Sequence, residues 1–415
     1  MQDKQLDEYR LRQREDAWGM HTLHFVLKPM AWLIALAWVY KLAETALGLP
    51  RVPNLLAAEY DCALATGPSL VVIVPARNEA AKVGACLESL LGQDYQAMRI
   101  IAVNDRSTDA TGAMMDELAG MHRERMEVMH VEELPAGWLG KTHAMAMAAR
   151  QAIEGGEVEY LLFTDADVIF EKEAVRRSLV WAERERADHA VVLPTTIVQS
   201  WGEGMLLVFL KVVSLWAVRP WRVADADARD AIGVGAFNLI RVSAYRQVGG
   251  FEADRMEIVE DLDLGRRVKR AGLRQRAAAA PGMVSVHWAA GAMGIVHGMT
   301  KNIFAVFRFR PAMLMASAVG MTLSCIVPAV LLFVPGTWVA AAIALGSVAG
   351  LYGLSRRFSR ISTWYAVLFP VAATVMVYSM MRSMMVTLRD GGVTWRGTFY
   401  PLSELRSCAR SRGGL

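Results

Sequence analysis

Charge is missing from long stretches of this 415-residue chain. Pro311 to Ser355 holds no Asp, Glu, Lys, Arg or His over 45 residues, and Ile361 to Met381 holds none over 21. A bilayer core needs roughly 20 apolar helical residues per crossing. The first run is long enough for two crossings and the second for one, which excludes a wholly soluble enzyme. Cysteine is scarce as well: Cys62, Cys86, Cys325 and Cys408 lie far apart, without metal-ligand spacing. They make no disulfide framework and do not suggest an oxidising compartment. The first 20 residues mix both charge signs and lack a signal-peptide pattern. A formal charge of +4, with no basic tract, makes nucleic acid an unexpected partner.

What is present is apolar and ordered. The chain is 54% hydrophobic and 21% charged, against about 45–50% and 25% for soluble domains. Its mean hydropathy is +0.26. Residues 1–20 read as a charged, amphipathic start. An apolar helix over about 22–49 follows, interrupted by Lys28, Lys41 and Glu44, and a Pro-marked linker runs to residue 67. Residues 68–290 have the texture of an α/β domain. Residues 291–310 form an amphipathic, interfacial segment, 311–388 about three transmembrane helices, and 389–415 a basic tail.

Within 68–290, short β-branched runs alternate with helical spacing. Strands are expected at 69–74, 99–103, 126–131 and 160–164, and helices at 78–91, 108–118 and 141–153. This alternation predicts a mostly parallel sheet with helices on both faces, binding its ligand beyond the carboxyl ends of the strands. Polar residues collect there. Asp165-Ala166-Asp167 closes an apolar strand, and two carboxylates at that spacing suit one hard divalent cation, Mg or Mn. Asn104-Asp105-Arg106-Ser107-Thr108-Asp109 closes another: Asp105 is placed for a nucleotide base or ribose, and Asp109 for the next helix's first turn. Pro75-Ala76-Arg77-Asn78-Glu79 is a polar turn at the same edge. Gly140-Lys141-Thr142-His143 opens a helix, a natural phosphate site. Glu260-Asp261 offers a carboxylate to take a proton from an incoming hydroxyl. A solvated turn, a cap or a helix-dipole role competes for each motif alone. His287 and His297 read as interface histidines or acceptor contacts, the Met380–Met385 cluster as packing, and Asp225-Ala226-Asp227 as a loop.

Taken in order, residues 72–79, 103–109, 140–144, 164–167 and 260–261 resemble the family 2 glycosyltransferases of GT-A (Rossmann-like) fold, over about 68–310. The membrane segments make the chain similar to the branch that glycosylates ceramide, hopanoid and carotenoid lipids. The resemblance implies a nucleotide-sugar donor, expected to be a UDP-sugar, bound by Pro75, Asn78, Glu79, Asp105, Lys141 and Asp165. The small-residue turn 233–238, with Gly235, would lie where donor and acceptor meet. It also implies a metal on Asp165 and Asp167, Asp261 as general base with Glu260 beside it, and inversion at the sugar. The acceptor would be a hydroxyl or carboxyl of a membrane lipid. The late Val393–Gly397 (VTWRG) resembles the tail of that branch. The Gln-x-x-Arg-Trp motif of many long-acceptor members is absent, which counts against a processive polysaccharide synthase and leaves the acceptor subsite without residues. A third reading, a transporter or scaffold with a degenerate nucleotide fold, lacks the internal charges a transport path needs. A nucleotide-sugar donor places the catalytic domain in the cytoplasm of a multi-pass, inner-membrane-type protein. Arg356, Arg357 and Arg360 then fall inside, but three crossings would set the tail outside. A re-entrant last segment or one crossing fewer would bring it back.

Overall fold

The structure, a computed structural model, describes residues 2–64, 67–356 and 361–411, with side chains from residue 25 to 408 of these. The side chains of the charged start and of Arg410, and Ala65, Thr66, Arg357, Arg360 and Arg412, lie outside the described residues. Helix α1 (Gln2–Gly48) leads in. The α/β domain then runs β1 (Leu70–Ala76), α2 (Val83–Leu91), β2 (Met98–Asp105), α3 (Thr111–Met121), β3 (Met126–Val131), α4 (Gly140–Glu154) and β4 (Tyr160–Phe163). Next come β5 (Val168–Phe170), α5 (Ala174–Arg184), β6 (His189–Leu193), β7 (Thr195–Thr196), α6 (Trp201–Ser214), β8 (Asn238–Arg241), α7 (Val242–Gln247), α8 (Glu260–Arg270), β9 (Gln275–Ala279) and β10 (Val284–Val286). The rest is α9 (Gly291–Val306), α10 (Pro311–Met321), α11 (Val327–Leu331), α12 (Trp338–Ser355), α13 (Phe369–Arg389), the hairpin β11 (Gly392–Trp395) and β12 (Thr398–Pro401), and α14 (Leu402–Ser411).

The main sheet has the order β3-β2-β1-β4-β8-β6-β9. β3, β2, β1 and β4 are parallel; β8 runs antiparallel between β4 and β6. β1 is buried along its whole length because helices cover both faces. Its side chains alternate between layers: Leu70, Val72 and Val74 pack with α2, and Val71 and Ile73 with α4. The parallel ends thus converge on one edge, where residues 75–79, 105–109 and 165–167 emerge. The expected helix over 78–91 begins only at Val83. Asn78 has φ 54°, a left-handed conformation no helix can continue through.

The segment after Pro50 is docked rather than free. Leu55 N donates to Ala279 O, and Ala279 N donates to Pro53 O, both at 2.9 Å, so the chain covers the open edge of β9.

Among the described residues, four helical segments are long and apolar enough to cross a membrane: Phe25–Arg51, Pro311–Leu331, Trp338–Ser355 and Thr363–Arg389. The second contains a π-helical turn at Thr322–Ile326. Pro328 has no N–H to give the Ser324 carbonyl one helical turn back, and Trp38 of α1 donates its indole N–H there instead, at 2.9 Å. An unmet carbonyl in lipid would cost several kcal/mol, on the order of a buried polar group. Lys41 and Glu44 of α1 face protein: Lys41 bonds Glu44 (2.7 Å) and the Leu215 carbonyl (3.1 Å), and Glu44 meets Arg219 (3.1 Å).

Helix α13 lies beside α9. Ser383 Oγ donates to Thr300 O (2.6 Å) and accepts from Phe304 N (3.1 Å). Phe369, at its start, packs on Phe209 of α6 and on Trp38. The hairpin β11–β12 that follows returns to the α/β domain, where Arg77 Nη1 donates to Thr398 Oγ1 at 3.2 Å. The C-terminal hairpin therefore sits on the same side as the sheet edge.

Candidate functional site

A cleft of about 790 Å³ opens at the carboxyl edge of the sheet. Pro75, Glu79, Asp105, Lys141, Asp165, Asp167, Gly235, Glu260 and Asp261 all line it. Asn78 does not. Its Oδ1 accepts from Thr108 N at 2.8 Å and its own N–H donates to Ser107 Oγ at 3.0 Å. It ties the β1 and β2 turns together. Asp109 is equally local, accepting from Thr111 N and from Ala80 N.

The centre is a charge cluster in which Glu260 is buried while Lys141 and Asp165 stay partly open to the cleft. Lys141, in the first turn of α4, reaches Asp165 Oδ1 at 2.5 Å and Glu260 Oε1 at 2.6 Å. Burial alone would depress this ammonium, but Asp165, Glu260 and Asp261 together raise it well above the usual lysine range. Asp165 is held below the usual carboxylate range: burial opposes ionisation, and Lys141 outweighs it. Asp167 pairs with Lys82 at 3.0 Å.

Asp261 behaves oppositely. Burial, then the neighbouring Glu260 charge, pushes its carboxyl up to about 7, with Lys141 only partly offsetting them. A carboxylate poised near neutrality suits proton transfer. Its position depends on small residues. A Cβ at Gly233 would collide with the Asp261 backbone carbonyl, and one at Gly235 would stand 2.5 Å from Asp165 Oδ2. The glycine turn before β8 thus lets Asp261 and Asp165 share one wall, fastened where Asp165 N donates to Gly235 O at 2.9 Å.

Several cleft residues were given no place in the site by the sequence. Trp395, Arg396 and Tyr400 of the C-terminal hairpin form part of the wall. Arg396 occupies the hairpin's two-residue turn at φ 48°, next to Gly397 at φ 79°, the all-positive geometry of a tight hairpin. A non-glycine residue held there is uncommon and marks a constrained position. Its guanidinium bonds Glu79 and the Arg77 carbonyl. Gly140 N, at the open N-terminus of α4, donates to the Tyr400 hydroxyl at 3.3 Å. Lys301 of α9 sits 4.1 Å from the Trp395 ring centroid. The VTWRG tail was the only hint of this wall.

The other candidates are structural. His287 meets the buried Glu203 at 3.3 Å, and Glu203 also accepts from Gly291 N at 2.6 Å, tying α6 to the start of α9. His297 is exposed. Asp225 closes a loop with Arg222 (2.9 Å) and Asp227 N. Met380 is buried among the helices. Among the described residues no cluster of three or more His, Cys, Asp or Glu is arranged to hold a metal by itself.

Known proteins share this frame. Residues 71–249 match the model of glycosyl transferase family 2. The 4,4'-diaponeurosporenoate glycosyltransferases of Staphylococcus aureus strains RF122 and MRSA252 are each 25% identical over 199 residues, 48% of this chain and 50% of theirs. The chain thus spans about half the length of the curated relatives it matches. Mannosyltransferase PcManGT from Pyrobaculum calidifontis, solved with GDP-Man and Mn2+, superposes with a TM-score of 0.53 at 16% identity. That likeness covers 89% of this chain and 99% of that one. Residues 71–249 thus resemble a glycosyl transferase family 2 domain, on a fold like that of the mannosyltransferase.

Proposed function

We propose that the chain is an inverting glycosyltransferase that moves a sugar from a nucleotide diphosphate to a hydroxyl or carboxyl of a membrane lipid. One observation carries the reading: the base candidate Asp261, the Asp165-x-Asp167 pair and the Lys141 phosphate position line a single cleft whose far wall is built by α6 and α9. The relatives named for a carotenoid acid support an acceptor of lipid kind.

The chain's own groups divide the work. Pro75, Glu79 and Asp105 would flank the nucleotide. Lys141 and Arg396 would face the diphosphate, each now held on carboxylates that the donor's arrival would release. Asp261 would take the acceptor proton as the hydroxyl attacks the anomeric carbon from the face opposite the leaving diphosphate. Asp165 and Asp167 fit a hard divalent cation: both open on the cleft and offer only oxygen, and their present partners are exchangeable ammonium groups. Such an ion would neutralise the departing diphosphate.

The test is purified full-length protein with Mn2+ or Mg2+, extracted lipid and a panel of labelled nucleotide sugars. Label is expected in the lipid phase, lost with chelator; absence of transfer and of donor hydrolysis across the panel overturns the reading. The pH profile is a second check. Asp261 acts only when deprotonated, so kcat/KM is expected to rise with pH through about 7. Glu260→Gln removes the like charge that raises Asp261 and should move this limb to lower pH.

The catalytic domain would face the cytoplasm. Since the hairpin rests on that domain, an even number of crossings must separate Arg310 from Gly392: Pro311–Leu331 and Trp338–Ser355 would cross, and α13 would lie along the interface with α9. In a chain freed of native cysteines, Glu404→Cys on α14 and Glu117→Cys on α3 are expected to label from the same side of sealed vesicles. Labelling from opposite sides would reject this count.

A further inference from the structure

Two ammonium groups in the cleft have no carboxylate partner among the described residues. Lys211 of α6 and Lys301 of α9 both line it, and neither forms an ion pair. Lys301 bonds the Asn302 side chain at 2.7 Å and faces the Trp395 ring. Lys211 is flanked along the cleft by Leu207, Leu210 and Ser214. Burial brings each ammonium down to about 8. A cation withdrawn from water without a bonded acid is costly to keep; at Lys301 the more distant Glu260 and Asp165 charges do not outweigh burial, whereas every other cleft lysine has its acid: Lys82 has Asp167, and Lys141 has Asp165 and Glu260. The two unpaired ones come from the helices that pack with the apolar segments, alongside Trp288, which is 40% exposed. A lipid head entering from the membrane would meet them together with the apolar Leu207, Leu210 and Trp288 surface.

We propose that Lys211 and Lys301 seat an acidic group, a phosphate or carboxylate, on the head of the acceptor lipid, beside the hydroxyl that attacks. The inference rests on the transferase reading and narrows its acceptor. The acidic group does not react. The hydroxyl oxygen bonds the anomeric carbon, its proton passes to Asp261, and the bond from that carbon to the diphosphate oxygen breaks with the electron pair leaving on the diphosphate. The seat turns the head so that the hydroxyl, not the acid, points at Asp261.

The experiment compares lipids that share chains and differ in the head. Full-length protein in neutral detergent micelles is titrated with labelled dioctanoyl phosphatidic acid and with dioctanoylglycerol, with no donor present. Phosphatidic acid is expected to bind about tenfold tighter or more. Lys211→Met with Lys301→Met should erase the preference, Lys211→Arg should keep it, and Arg389→Met on the exposed surface should leave it unchanged. Elution profile and nucleotide binding verify that the variants fold. Dioctanoyl phosphatidylglycerol and a carboxylate-headed lipid alcohol, offered with donor, separate phosphate from carboxylate as the preferred acid. Equal binding of the two lipids, or a preference surviving the double substitution, overturns the seat. So does a double variant whose defect lies in donor KM alone. Donor hydrolysis without lipid is scored separately: its loss in the unmodified protein counts against the transferase reading, while the binding titration still decides the seat.

Discussion

Asp261→Asn is expected to cut sugar transfer by about 10²–10⁴-fold, the usual cost of losing a general base, while nucleotide-sugar binding stays close to normal. The substitution preserves shape and keeps the side-chain oxygen that accepts from Leu262 N at 2.7 Å. It removes only the ability to take a proton and one negative charge from a crowded acid cluster. Lys141 would still bridge Asp165 and Glu260, so the donor side should stand. Donor affinity by calorimetry beside turnover in lipid micelles separates the two effects. Near-normal turnover would mean that Asp261 is not the base. A fall in donor affinity equal to the fall in turnover would mean that it holds the donor instead.

Lys141→Met should act in the opposite manner, abolishing donor binding and weakening the fold together. Lys141 spans two carboxylates, and Glu260 is buried at 4% exposure. Removing one partner of a fully buried pair costs about 3–5 kcal/mol; here the penalty falls chiefly on Glu260 and is smaller for Asp165, which solvent reaches. Here Asp165, Glu260 and Asp261 would all lose their nearest cation. Asp165 and Asp261, both now lowered by Lys141, would shift to higher pKa and become easier to protonate. A lowered thermal midpoint that recovers on acidification is the signature. The sign follows from linkage: carboxylates whose pKa is raised in the folded state destabilise it when ionised, and that penalty fades as pH falls through the raised values. An unchanged midpoint at neutral pH would show that solvent or Lys301 compensates.

These two residues also show how much was legible beforehand. Strand ends are readable because β-branched runs and their polar terminators are local. Tyr160–Phe163 followed by Asp165-x-Asp167, and Met126–Val131, appear in the structure close to where the pattern put them. Gly140–Glu154 likewise opens on its Gly-Lys pair. Motif order points to Asp261 as a proton acceptor, but its elevated pKa depends on burial and on Glu260, neither of which spacing can measure. Asn78 misleads for a related reason: its type and position suit a ligand contact, while its side chain is spent on Thr108, 30 residues away.

Sequence by itself determined the strand–helix alternation, the edge where acids gather, the apolar segments and the order of the acidic motifs. All of these follow from periodicity or composition within a few turns of chain. Tertiary structure alone decided what closes the site. Arg396 meets Glu79 across 317 residues, Tyr400 meets Gly140 across 260, and Trp38 meets Ser324 across 286. It also brought the C-terminal hairpin back to the sheet edge, because a run of apolar residues reports that a helix tolerates lipid and not what its ends pack against. The contacts of α13 with α9, and of the hairpin with the β1 turn, join segments far apart in sequence.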